Sequence, residues 1–296
     1  MTKYIFIPLF LILSNVFVWT NIYSQELKTG TLEISVLDIG QGDAILVKTP
    51  NNYYGLIDTG RDFTVLSELS QALPFGRSYL DFVILTHSDA DHIGGFDEIL
   101  QSYKVKNLFF NKSSKTNELI ESMKNDIIDT ATKNYSIDMA NDFTLDGVYF
   151  DIVWPEDNRE TYTLDNSNDI SAGILIKYNG YKFLTLGDLD SKFEEDSLTN
   201  VPAEDLDVDF LKVSHHGSKF STSLEFLNKV KPEYSFISVG LNNSYGHPTS
   251  EVLGNLQNMN SDIYRTDLDG RITLTIKDQH ANIKSNLSNR EMEISK

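Results

Sequence analysis

The sequence predicts two mixed β-sheets sandwiched between helices. Three observations carry that expectation. Hairpin-rich β sequence followed by helical spacing occurs twice, once in each half of the chain. Asn179-Gly180, the strongest short hairpin signal, lies between two apolar runs. Histidines and aspartates gather where predicted strands run out into loops, the usual place for a site in a layered α/β protein.

In chain order, Thr31 to Asp38 alternates as a half-buried strand does. Asp38-Ile39-Gly40-Gln41-Gly42-Asp43 reads as a turn, Ala44 to Lys48 as the next strand, and Tyr53 to Ile57 as a third ending at Asp58-Thr59-Gly60. Val65, Leu66, Leu69 and Leu73 have helical spacing. The apolar run Phe82 to Leu85 reads as a buried central strand, followed by a helix with Phe96, Ile99, Leu100 and Tyr103 inward and a strand over Val105 to Phe110. Leu119, Ile120, Met123 and Ile127 mark another helix, and Phe143 to Trp154 carries a strand signal. Ser171 to Tyr178 and Tyr181 to Leu186 flank the Asn-Gly turn, and the second ends at Gly187-Asp188. Strands follow at Asp209 to Val213 and Ser235 to Val239, then a helix through Val252, Leu253 and Leu256, and short strands near Ile263 and Ile272. No internal repeat or low-complexity linker interrupts this order, so residues 26–287 read as one domain and 288–296 as a tail.

The first residues stand apart. Lys3 precedes an almost unbroken apolar run from Tyr4 to Trp19, with a polar exit over Asn21 to Gln25. That is the layout of a secretory signal peptide, and the run is shorter than the roughly 20 residues of a spanning helix. Ser24 suits the position before a cut, while Ile22 is larger than is usual there. A cleaved signal over residues 1–24 is the expectation, with an uncleaved anchor as the alternative, and a membrane partner follows only in that second case. The protein is therefore expected in the periplasm or outside the cell. With no cysteine in the chain, disulfides and thiolate ligands are excluded, so any metal site must use nitrogen and oxygen donors. The formal net charge of -18 excludes a broad basic face, so a polyanionic substrate would be held by metal ions and a few local cations.

The chemistry concentrates in Thr86-His87-Ser88-Asp89-Ala90-Asp91-His92-Ile93-Gly94-Gly95. Packing imidazoles and carboxylates so densely is costly unless a cation neutralises them. Five of the six histidines, His87, His92, His215, His216 and His247, lie at strand exits, and only His280 does not. A lone histidine is more often an ordinary surface or core residue; five gathered with acids at strand ends indicate a metal site. In an extended segment, residues two apart share a side, so His87 and Asp89 would face one ion, and Asp91 and His92 a second. Asp188 is the candidate bridging carboxylate, and a histidine of Ser214-His215-His216-Gly217 completes the ligands of the second ion. Of that pair, His216 is assigned as the ligand and His215 as phosphate contact or proton donor. Asp58 reads either as a turn-forming residue or as a group orienting a ligand. Asp43 reads as part of a hairpin turn on the site floor. Lys219 is either solvated or an anion contact beside the metals.

The motifs resemble those of a metallo-β-lactamase-fold hydrolase, and more narrowly the soluble metallo-hydrolase domain of the ComEC DNA-uptake family. The matching pieces are Leu37-Asp38-Ile39-Gly40-Gln41-Gly42-Asp43-Ala44-Ile45, Leu56-Ile57-Asp58-Thr59-Gly60, the Thr86 to Gly95 stretch, Leu186-Gly187-Asp188, Leu211-Lys212-Val213-Ser214-His215-His216-Gly217-Ser218, Gly246-His247-Pro248 and Asp269-Gly270. The resemblance implies an αββα sandwich, two divalent ions and phosphodiester hydrolysis with DNA as the substrate. For metal-assisted hydrolysis the candidate catalytic set is Asp188, Asp91, His215 and His247, with Asp89 or Asp58 as alternatives to Asp91 for taking the proton. The general superfamily has histidine where Asp89 stands, and a further histidine in a region that here holds none between His92 and His215. The subgroup instead resembles this chain's Asn166-Ser167-Asn168-Asp169-Ile170-Ser171. The first ion would then have His87, Asp89 and Asn168 or Asp169, bind more weakly, and accept Mn²⁺ as readily as Zn²⁺. No transport channel or nucleic-acid-binding module accompanies the domain in this sequence, which leads to the expectation of a free-standing exported hydrolase and not an uptake channel. A small-substrate phosphodiesterase resembling phosphorylcholine esterases, and an exported binding protein without turnover, are the alternatives. No protein partner is deducible.

Overall fold

The computed structural model describes residues 14, 30–110, 132–156 and 166–296. The expected signal segment and the helix expected around Leu119 to Ile127 lie outside the described residues.

In chain order the elements are β1 (Thr31–Val36), β2 (Ile45–Lys48), β3 (Tyr54–Ile57), α1 (Thr64–Ala72), β4 (Tyr79–Leu80), β5 (Phe82–Leu85), α2 (Ala90–Ile93), α3 (Phe96–Ser102), β6 (Lys104–Val105), β7 (Asn107–Phe110), β8 (Lys133–Ser136), β9 (Phe143–Leu145) and β10 (Val148–Trp154). The second half has β11 (Gly173–Tyr178), β12 (Tyr181–Thr185), α4 (Ser191–Ser197), α5 (Ala203–Leu206), β13 (Phe210–Lys212), α6 (Leu224–Val230), β14 (Tyr234–Ile237), α7 (Ser250–Asn258), β15 (Asp262–Arg265), α8 (Thr266–Asp269), β16 (Ile272–Lys277), β17 (His280–Ser285) and β18 (Glu291–Ser295). Nine strands form one main sheet in the order β18-β17-β16-β1-β2-β3-β5-β7-β8, seven form the other main sheet in the order β15-β14-β13-β12-β11-β10-β9, and β4 pairs with β6 alone. Both are mixed: β1, β2 and β3 pair antiparallel whereas β3, β5 and β7 run parallel, and β11–β12 is antiparallel whereas β12 to β15 run parallel.

The period of two sorts side chains into layers. Ile34, Ile45, Ile57, Phe82 and Ile84 of the first sheet face Phe150, Ile174, Phe183 and Phe236 of the second. The alternate residues Leu46, Leu56, Val83 and Leu85 face outward onto Val65 and Leu69 of α1 and Phe96 and Ile99 of α3. On the other outer face, Leu175, Leu184 and Leu211 receive Phe226 and Val230 of α6 and Leu256 of α7. Three apolar seams separate four layers, as an αββα sandwich requires.

β8 and β17 are strands where none was expected, and two further features depart from expectation. Phe143 to Trp154 is a hairpin, turning at Asp146-Gly147 with both residues at positive φ, as Asn179-Gly180 also does. The expected tail contains β18, which pairs with β17 and extends the nine-stranded sheet. Glu291-Met292-Glu293-Ile294 does alternate, but the run is short, half glutamate and mostly exposed, so the edge strand depends on main-chain hydrogen bonds to β17 more than on burial.

Candidate metal centre

The site forms where strands of both sheets end. Asp58 follows β3, His87 follows β5, Asp188 follows β12, and His215 and His216 follow β13. Two glycines permit the close approach. Gly42, at φ 130°, has Asp91's carbonyl where a Cβ would stand, and Gly187, at φ 55°, has the Ser171 hydroxyl.

Donor atoms of His87, His92 and Asp188 lie within 4.8 Å of one another, and so do those of Asp91, His92 and His216. Asp188 stands between the groups, with Oδ1 3.2 Å from His92 Nε2 and Oδ2 3.6 Å from His216 Nε2. His92 is common to both groups, which differs from the expected division of the loop. The expectation took Asp89 to His92 as extended, but residues 90–93 are one helical turn, with Asp89 as its N-terminal flank. Consecutive side chains on a helix turn by about 100° and not 180°, so His92 swings inward until its ring centroid is 4.1 Å from that of His87. The same geometry leaves Asp89 at the rim. Its side chain is 42% exposed, its Oδ1 accepts from the Ser167 hydroxyl, and Oδ2 is 3.8 Å from His87 Nε2.

Each inner imidazole is held through Nδ1. His92 Nδ1 donates to Asp58 Oδ2 at 2.7 Å, and His216 Nδ1 to the Ser238 carbonyl at 2.9 Å. The Thr86 hydroxyl donates to Asp58 Oδ2 at 2.7 Å, so its lone pair is available to His87 Nδ1, 3.0 Å away. These contacts put the proton on Nδ1 and the lone pair on Nε2, the tautomer a metal ligand needs. The Nε2 atoms of His87, His92 and His216 and Oδ1 of Asp188 are buried without a hydrogen-bond partner among the described residues. Buried polar atoms are ordinarily satisfied. A cluster of nitrogen and oxygen donors aimed at one space fits divalent cations.

Electrostatics of the protein charges alone point the same way. Burial pushes the His87 pKa down to about 4, helped by His92 beside it. For His92, burial is outweighed by Asp188 and Asp58, which lift it well above the ordinary value; for His216, burial is outweighed by Asp188 and Asp43, which lift it to about 9. Burial opposes ionisation of Asp188, but His92 and His216 hold its carboxyl well below the usual range. The pocket therefore favours ionised carboxylates and cationic charge among them, which is what a metal ion satisfies.

Asp58 is both a turn residue, at φ 58°, and the group that orients His92, so the two readings of it coexist. Asp43 lies on the floor, 3.4 Å from His216 Nδ1. Its oxygen pairs with Lys212, a fully buried lysine that sequence reasoning passed over. The signal was available: a lysine inside the apolar strand Phe210-Leu211-Lys212-Val213 needs a buried partner. Lys219 is exposed with its amine over the neighbouring Phe220 ring, and the structure does not bring it into the cluster. Asp169 pairs with Lys192 at 2.7 Å, whereas Asn168 Nδ2 lies 3.5 Å from His215 Nδ1. His215 and His216 both have left-handed backbone, at φ 49° and 54°. That turn sends His216 inward, 1% exposed, and leaves His215 at the mouth, 3.8 Å from Asp188 Oδ2. His247, half-buried, packs edge-on to His215 with ring centroids 5.9 Å apart.

Comparison with known proteins agrees with the layers and the donors. The model of the metallo-beta-lactamase superfamily matches residues 37–108, which include β5 and the His87 to His92 turn. The chain has the metallo-β-lactamase fold. As a protein of that fold it is similar to YhfI of Bacillus subtilis, with a TM-score of 0.54 at 13% identity over 79% of this chain and 95% of YhfI. It is also similar to CmlA, a diiron β-hydroxylase from Streptomyces venezuelae, with a TM-score of 0.56 at 13% identity over 83% of this chain and 54% of CmlA. In sequence, this metallo-β-lactamase-fold chain is 31% identical to ComE operon protein 3 of Bacillus subtilis over 83% of its own length and 33% of that protein. It is 32% identical to competence protein ComA of Neisseria gonorrhoeae, over 81% of its length and 31% of that protein. The chain thus spans about a third of these relatives, and within them it resembles the ComEC-type domain. Fold, family match and donor set together support a metal-dependent hydrolase with divalent ions.

Proposed function

We propose that the protein hydrolyses phosphodiester bonds in DNA with two divalent ions. The observation that carries this reading is the convergence of three buried imidazole Nε2 atoms on Asp188, each ring held through Nδ1. DNA is supported by the resemblance to the ComEC DNA-uptake family and by relatives named for competence. The oxygen donor Asp89, where lactam-cleaving members of the fold have histidine, supports a shell that takes Mn²⁺ as well as Zn²⁺.

His87, His92, Asp188, Asp91 and His216 would hold the ions, with Asp89 and Asn168 nearest the first. Bound divalent ions supply a lowered pKa for water and charge to balance the phosphoryl oxygens. The protein's own groups do the rest. Asp91, partly exposed and 3.6 Å from His216 Nε2, accepts a proton from the attacking water as the new P–O bond forms. His215, beside Asp188 and open to solvent, donates the proton that leaves with the alcohol as the ester P–O bond breaks. His247, whose Nδ1 has no partner among the described residues, contacts a phosphate oxygen. Lys212 keeps Asp43 ionised behind His216. Export follows from the signal-like segment in residues 1–24.

The net charge of -18 favours a second reading, a small-substrate phosphodiesterase of the same fold, because an acidic surface repels a long polyanion. Turnover of single-stranded DNA, duplex DNA, a small chromogenic phosphodiester and a β-lactam, each with chelator and after Mn²⁺ or Zn²⁺ addition, separates these. Chelator-sensitive DNA cleavage is expected. Turnover of the small ester alone would leave the second reading standing, and turnover of none would refute both.

A further inference from the structure

Beside the cluster, the loop from Gly240 to His247 holds up an exposed aromatic ring. Tyr245 is 55% exposed, large for a tyrosine on a loop pinned this firmly. Asn243 does the pinning: its Oδ1 accepts from the backbone N–H of Tyr245 at 3.2 Å and of His247 at 3.0 Å, and its Nδ2 donates to the carbonyls of His247 at 2.7 Å and Gly240 at 3.1 Å. Gln41, from the turn before β2, accepts from Gly240 N at 3.3 Å and ties the loop to the site floor.

The Tyr245 ring is nearly parallel to that of His247 and offset from it, with centroids 5.9 Å apart and planes 16° apart, and more than half of the residue stays open to solvent. Its hydroxyl accepts from Arg61 Nη2 at 3.4 Å, across 184 positions of sequence. Arg61 follows the Asp58-Thr59-Gly60 turn, and Gly94 packs against its carbonyl, so its main chain is part of the site wall. Its guanidinium remains at the surface. From the metal cluster outward the series is Asp188, His215, His247, Tyr245, Arg61.

We infer that Tyr245 and Arg61 form a subsite for one unpaired nucleotide flanking the scissile phosphate, with the base stacked on Tyr245 and a phosphate on Arg61. The inference rests on the phosphodiesterase reading and sharpens its substrate to single-stranded nucleic acid. An exposed tyrosine beside an imidazole takes any base, since every base has a π-face, and a guanidinium near the cluster supplies a cation for a phosphate in an acidic chain. A paired base in a duplex keeps its own stacking partners and cannot use the platform. The bland alternative is that Tyr245 only packs the loop, in which case Asn243 alone would suffice and truncation of Tyr245 would not discriminate between substrates.

The test compares single-stranded octathymidylate, a blunt duplex of equal length and methyl p-nitrophenyl phosphate as substrates of the metal-loaded protein. The variants are Tyr245→Ala, Tyr245→Phe and Arg61→Ala, with Phe75→Ala as a control at an aromatic outside the site that is 89% exposed. Wild type should prefer the single strand to the duplex. Tyr245→Ala should raise KM for the single strand about tenfold and lower the ratio of its kcat/KM to that of the small ester equally. Tyr245→Phe should keep most of that ratio, and Arg61→Ala should flatten the salt dependence. An unchanged ratio in Tyr245→Ala, or an equal fall in Phe75→Ala, overturns the inference while leaving phosphodiester hydrolysis intact. If wild type cleaves no phosphodiester, the underlying reading fails, and fluorescence anisotropy of labelled octathymidylate decides the subsite separately. Binding that Tyr245→Ala abolishes sustains it; no binding, or binding equal in both proteins, overturns it.

Discussion

The inner wall and the rim of the site are built in opposite ways from the same residue types. His87, His92 and His216 on the wall are buried, and each has one ring nitrogen committed to a fixed partner. Asp89, His215 and His247 at the rim are partly exposed, and their contacts to neighbouring charged groups are 3.8 Å or weaker ring contacts. A buried imidazole cannot choose its tautomer or rotate, so the wall is suited to holding a cation. A half-solvated imidazole can exchange protons with water and meet a substrate. Position relative to solvent, and not residue type, separates holding from reacting.

The largest effect should come from breaking the wall at its centre. Asp188→Asn should cost on the order of 10³ in kcat/KM and lower metal content measured by atomic emission; full metal content with full activity would refute its bridging role. Next is Lys212, which touches no substrate. Lys212→Met leaves Asp43 buried without its counter-charge, a loss of about 3–5 kcal/mol, or roughly 10 °C in Tm for a chain of this size. Pairing it with Asp43→Asn should restore part of that stability in calorimetry, and failure to do so would assign the loss to packing alone. Asp58→Asn replaces an acceptor of the His92 Nδ1 proton and should weaken metal binding by about 10- to 100-fold, read by competition with a chromogenic chelator. The smallest effect is expected at the rim. Asp89→Ala should change metal affinity by less than about tenfold, since an exposed carboxylate is well solvated without its partner. A loss as large as that of Asp58→Asn would move Asp89 from the rim to the wall and erase the distinction.

Much of the fold was legible because its signals are local. The β5 run, the Asn179-Gly180 hairpin and the Val65-to-Leu73 spacing each follow from a period of two or of 3.6 and a turn that only certain residues adopt. β17 alternates Ala281, Ile283 and Ser285 inward between β16 and β18, but polar residues separate them and only Ile283 is a strong strand former; β18, at the solvated edge, is held by main-chain hydrogen bonds to β17. Two-residue spacing suggests an extended segment, whereas residues 90–93 make a helical turn that leaves Asp89 partly exposed, 3.8 Å from His87 Nε2.

By itself the sequence determined which residue types reach the site and at which strand ends. His87, His92, Asp188, His215 and His216 all lie at such ends because a strand inside a sandwich can expose polar groups only where it leaves the core. Only the tertiary structure decided which of them face each other. The left-handed turn that separates His216 from His215, the burial of Lys212 against Asp43 across 169 positions, and the meeting of Arg61 with Tyr245 all depend on two sheets packing at one register. That packing is set by the summed burial of three apolar seams, a long-range quantity that no local spacing encodes.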